Sequence, residues 1–239
     1  MREEIFQVRN YTVGHRIDKQ LLLSLEDICK QYNSNAIMKL NIECNNSTRY
    51  KFDNIEECFE YFDKSPYRIV KLEIVVSFGE SYASNKITLT FSNKRSASTE
   101  VQFQFDNSDD YLVLKNKIEL CLKNFRLNYS VLSIMPIIPT LLTILFVWIC
   151  VYTNSRNIIF PKEIQHMIIF SWIWGSIIIG LFPPFAKIKR NIFPCTEFRI
   201  GQNELVENRN STIRNFIIST LIIGTILGVV VNFISDFLF

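Results

Sequence analysis

Every stretch of this chain that is apolar enough to cross a bilayer lies in its second half. The stretches are VLSIMPIIPTLLTILFVWICVY (131–152), MIIFSWIWGSIIIGLFPPF (167–185) and NFIISTLIIGTILGVVVNFI (215–234), none with an internal Lys, Arg, Asp or Glu. Each is about 20 residues, the length a helix needs to span a hydrocarbon core. Residues 1–130 contain no such run. The pattern therefore predicts two parts: a cytoplasmic α+β domain at 1–130 and an all-α membrane domain of three transmembrane helices at 131–239. Composition fits a mixed chain, 48% hydrophobic yet 21% charged over 239 residues.

The loop between the first two runs carries Arg156 and Lys162. The next loop carries Lys187, Lys189, Arg190, Arg199, Arg209 and Arg214. Basic residues are retained on the cytoplasmic side, so the N-terminal domain and 186–214 are expected there, with the C-terminus across the membrane. No signal-peptide core precedes the domain. The expectation is a multi-pass inner-membrane protein. Within 1–130, 18 Lys and Arg balance 18 Asp and Glu, which leaves no overall basic surplus of the kind duplex DNA binders show. The six cysteines form no CxxC pair and read as reduced, buried thiols.

The first 130 residues alternate between helical and strand periodicity. Residues 18–33 place Leu21, Leu22, Leu25, Ile28, Cys29 and Tyr32 on one helical face, with Asp18 as a cap. Residues 36–44 and 48–52 alternate across a turn and read as a hairpin, with Arg49 and Lys51 pointing outward. A short helix follows, with Asp53 and Glu56 as a capping box. Strands at 67–78, 86–92 and 99–105 put apolar residues on one face and polar ones on the other. A long amphipathic helix at 109–125 then leads toward the first apolar run. One-sided alternation indicates an antiparallel sheet with helices on one face and water on the other.

Catalytic templates are missing. There are two histidines and seven glycines, and no HExxH, GxSxG, P-loop or GxGxxG. The chain reads as a non-enzyme with no cofactor. The residues that stand out suggest packing and binding. Thr220, Gly224, Gly228, Asn232 and Asp236 recur at every fourth position of the last run, a stripe suited to helix packing or to lining a pore. Pro136 and Pro139 mark a hinge at the start of the first run. Arg49, Lys51, Lys94 and Arg95 are candidate contacts for an anionic ligand.

This order of parts (cytoplasmic α+β domain, amphipathic coupling helix, three spans) resembles membrane effectors of bacterial anti-phage defence, the Hailong-type channel effectors among them. The resemblance implies a homo-oligomeric ion channel in contact with membrane lipid. It would be gated by a nucleotide or oligonucleotide signal that a partner enzyme makes. The competing reading is a non-conducting, membrane-tethered adaptor that recruits a protein partner.

Overall fold

A computed structural model describes residues 5–79, 85–93, 99–130, 146, 148–149, 161–181 and 183–238. The chain divides into two compact units, one formed by Met1–Leu127 with Cys195–Phe239 and the other by Asn128–Pro194. The C-terminal segment thus folds with the N-terminal one.

The first unit is built on a six-stranded sheet, every neighbouring pair antiparallel, in the order β1 (Ile5–Tyr11), β7 (Thr99–Phe105), β6 (Lys86–Ser92), β5 (Ile69–Ser77), β3 (Ile37–Cys44), β4 (Arg49–Phe52). Alternation decides its sidedness. Leu40, Ile42, Leu72, Ile74, Val76, Ile87, Leu89, Phe91, Val101, Phe103 and Phe105 are almost fully buried. They share a core with α1 (Lys19–Tyr32), α2 (Ile55–Lys64) and α3 (Ser108–Asn124), which supply Leu21, Leu22, Leu25, Cys58, Phe62, Leu114 and Ile118. The opposite face carries Lys39, Asn41, Glu43, Lys71, Glu73, Thr88, Thr90, Gln102 and Gln104, all partly exposed. The α+β antiparallel architecture agrees with the sequence pattern.

Helix starts follow local chemistry. Asp18 caps α1 by accepting from the Leu21 N–H at 2.9 Å. α2 corrects the capping-box expectation: its cap is Asn54, which accepts from the Glu56 N–H at 2.9 Å, so Asp53 lies one residue outside. The thiols of Cys29 and Cys58 are buried and pushed up to about 12 by desolvation, and those of Cys44 and Cys121 to about 11.

The unit is closed by a second, two-stranded sheet. β2 (His15–Ile17) pairs in parallel with β8 (Thr196–Phe198). From β8 the chain enters a 37-residue helix, Gln202–Leu238, numbered α6 below. Asn203 fastens its first turn to β5, accepting from the Ile69 N–H at 2.7 Å and donating to the Ile69 carbonyl at 3.1 Å. Gly201, just before it, sits at φ +54°, and a Cβ there would lie 2.2 Å from the Phe62 carbonyl oxygen. In the second unit, α4 (Lys162–Leu181) is followed by α5 (Pro183–Ile192), and the Phe146 and Trp172 rings stack at 4.9 Å.

The three-helix membrane domain is corrected. Among the described residues no helix is long and apolar enough to cross a membrane. The multi-pass inner-membrane location and the ion channel that depended on such helices are corrected with it. Apolar windows average composition without regard to where a helix begins. Residues 167–185 are not one element: α4 starts at Lys162 with a Lys–Glu pair and ends at Leu181, and α5 opens on Pro183 and Pro184. Residues 215–234 are no free-standing span either. They continue a helix whose first half carries Glu204, Glu207, Arg209 and Arg214 and docks on the sheet unit. Residues 131–152 lie outside the described residues, apart from 146, 148 and 149.

Gly201 yields a stability prediction. Gly201→Ala faces both a left-handed backbone and a clash with backbone, which has little room to give. Urea unfolding should show a loss of about 2–4 kcal/mol. A variant within about 0.5 kcal/mol of the parent would show that the junction relaxes freely.

Candidate functional site

The antiparallel register sorts the outward side chains of β4, β3 and β5 into two cross-strand rows. Arg49 stands opposite Glu43, which stands opposite Lys71. In the next row Lys51 stands opposite Asn41, which stands opposite Glu73. Directly opposed residues share a face, so all six gather on the open side. With Ile42 and Tyr50 they line a concavity of about 230 Å³. Of the predicted ligand contacts, the structure brings Arg49 and Lys51 together here and adds Lys71, which sequence reading had placed only on a polar face. Lys94 and Arg95 lie outside the described residues.

The ion pairs within the concavity are loose. Arg49 Nε lies 3.8 Å from Glu43 Oε2, and Lys71 Nζ lies 3.7 Å from Glu73 Oε2. Such exposed pairs contribute about 0–1 kcal/mol each and exchange readily for another partner. Among the described residues Lys51 makes no ion pair. Three cations against two carboxylates leave one net positive charge, and Asn41 adds an amide that can donate or accept. The arrangement can hold an anion. Among the described residues no group of three or more His, Cys, Asp and Glu side chains is placed to hold a metal ion.

The small-residue stripe lies along α6. Thr220 and Gly224 are exposed, and a Cβ at Gly224 would meet no atom within 4 Å among the described residues. Gly228, Asn232 and Asp236 belong to the same helix. Pro136 and Pro139 lie outside the described residues.

Sequence reading missed a second polar cluster, in the core of the first unit. His15 is buried, with Nδ1 2.7 Å from Thr99 Oγ1. Glu197, on β8, is 2% exposed and accepts from Arg199 Nε and Nη2 through one oxygen, at 2.9 and 2.7 Å. Its other oxygen lies 3.7 Å from Arg214 Nη2, while Arg214 Nη1 lies 3.7 Å from Glu207 Oε2. Glu207 and Arg214 are seven residues apart, two turns of α6, and so face the same way. That spacing was the available signal. It was hidden because Glu197, two residues before Arg199, reads as ordinary loop charge.

Burial, more than any charged neighbour, shifts the groups in this cluster. Desolvation lowers His15 to about 4, helped by Arg126. It raises Glu207 to about 7, reinforced by Glu197 and opposed by Arg214 and Arg199.

No protein-family model, no curated protein and no solved structure matches this chain. Its functional reading therefore rests on this geometry.

His15 sets a pH dependence. Its folded pKa lies below the unfolded value, so the native state resists protonation. The associated stability is full above about pH 6.5 and is lost as pH falls through about 4. Denaturation curves at pH 7 and pH 4 should differ by up to about 3 kcal/mol more in the parent than in His15→Gln. Equal differences in the two proteins would remove His15 from the acid response.

Proposed function

We propose that this chain is a non-catalytic signal-binding protein whose sheet receives a nucleotide or short oligonucleotide in the concavity of β3, β4 and β5. The carrying observation is the convergence of Arg49, Lys51 and Lys71 on one recess, beside the amide of Asn41. Guanidinium and ammonium groups at that spacing suit phosphate oxygens, and the Asn41 amide suits a base or sugar edge. The loose Glu43 and Glu73 pairs are given up at little cost when a phosphate enters. Of the resemblance to anti-phage effectors, the proposal keeps a binding domain joined to a long helix as its output. An adaptor that recruits a protein is the second reading. It is favoured by Phe6 and Val8, which stand 63% and 44% exposed on the edge strand β1.

Fluorescence anisotropy with a labelled short oligodeoxynucleotide, and calorimetry with ATP, test the proposal in the full chain. Arg49 and Lys51 are exposed, so Arg49→Glu and Lys51→Glu should fold normally. Each should weaken binding about tenfold and reduce the slope of log affinity against log salt by about 0.7 per lost phosphate contact. Affinity unchanged in both variants, or no binding at low salt, would overturn the reading and favour the adaptor.

A further inference from the structure

α6 is seated on the sheet unit by unlike contacts. At its start, Asn203 is bonded on both sides to the Ile69 backbone. Further along, Glu207 and Arg214 are both buried, and Arg214 lies 3.7 Å from Glu197 of β8. The charged groups facing Glu207 are Glu197 from β8, Arg199 just after that strand and Arg214 from α6 itself. Asp18, ahead of α1, acts on the same Arg199 and is paired with Arg16 at 2.8 Å. With Glu207 ionised the six groups sum to zero, so charge count alone favours the carboxylate. Hydrogen bonding does little to support that charge. Arg199 spends two donors on Glu197, and at 3.7 Å the Arg214 contact is too long for a hydrogen bond. Glu207 Oε2 is buried with no hydrogen-bond partner. A buried carboxylate oxygen without a donor is costly when charged and far less so when protonated.

We propose that Glu207 is a proton-operated latch: neutral, it lets the first turns of α6 seat on the sheet unit, and ionised, it loosens that seat. The proton released on ionisation passes to water once the helix lifts. The same residues explain why the seat is reversible. Removing a carboxylate charge restores a site that lacks only hydrogen-bond donors, whereas a purely apolar seat would not respond to pH.

The sign follows from linkage. A carboxyl group whose folded pKa is raised stabilises the seated state at low pH, and the advantage is lost as pH rises from the unfolded value through about 7. Hydrogen exchange on the full chain reads this out as protection factors, corrected for intrinsic rates, of the amides at 204–213. They should fall at least about tenfold between pH 5.5 and 8.5. Glu207→Gln, neutral at every pH, should hold protection constant across that range. Glu204→Gln, altering an exposed carboxylate in the same turn, should retain the parent's dependence. A carbon-13 titration of the Glu207 carboxyl needs no variant and should show a midpoint near 7. A midpoint near the ordinary 4.5, or pH-independent protection in the parent, would overturn the latch. So would a pH dependence that survives in Glu207→Gln.

Discussion

The pairing of His15–Ile17 with Thr196–Phe198 is the constraint on which the first unit depends. It joins segments about 180 residues apart in sequence, and three residues of parallel ladder cannot offset that loop closure alone. The surrounding bonds supply the difference. Arg199 N–H donates to the Ile17 carbonyl at 2.8 Å, Thr196 N–H to Asn93 Oδ1 at 3.1 Å, and Thr196 Oγ1 to the Ser92 carbonyl at 3.2 Å. Gly14 permits the approach, because a Cβ there would lie 2.6 Å from the Cys195 carbonyl oxygen. With β8 held in this way, α6 must begin beside α2 and β5, and the buried carboxylates must face Arg214.

The sequence made the central sheet legible because β3, β5, β6 and β7 each bury every second residue, and period-two alternation survives in the order of residues. β1 escaped because it is an edge strand exposed along most of its length, so Phe6, Gln7, Val8 and Arg9 show no alternation to read. β2 and β8 are too short to have a period. The opening of α6 was obscured for another reason: it buries polar groups (Asn203, Glu207, Arg214), and hydropathy registers those as surface. Averaging over 215–234 then detached the apolar end of a helix from the polar end that anchors it.

The candidate site was legible in part. That Arg49 and Lys51 point outward follows from alternation within one strand. That Lys71 joins them does not, because the register between β3 and β5 places it there, and register depends on the whole hydrophobic face being satisfied at once. Placing like charges in one recess also carries a cost, and Glu43 and Glu73 offset it locally. The recess therefore holds a set that is mostly paired within itself and keeps one net positive charge, and on the proposed reading a phosphate would replace weak internal pairs. Net neutrality over residues 1–130 is compatible with anion binding for this reason.

The recess and the seat of α6 share strand β5. Lys71, in the recess, is two residues from Ile69, whose N–H and C=O both bond to Asn203. Between these two residues the register with β3 shifts at an irregularity, and the ladder to β6 begins only at Lys71. The Asn203 bonds are neutral and directional, whereas farther along α6 Arg214 meets Glu197 and Glu207 in ion pairs of 3.7 Å. The neutral fastening lies nearer the recess and the ionic one farther along the helix. The two fastenings of α6 thus differ in chemistry and in the part of the helix they hold.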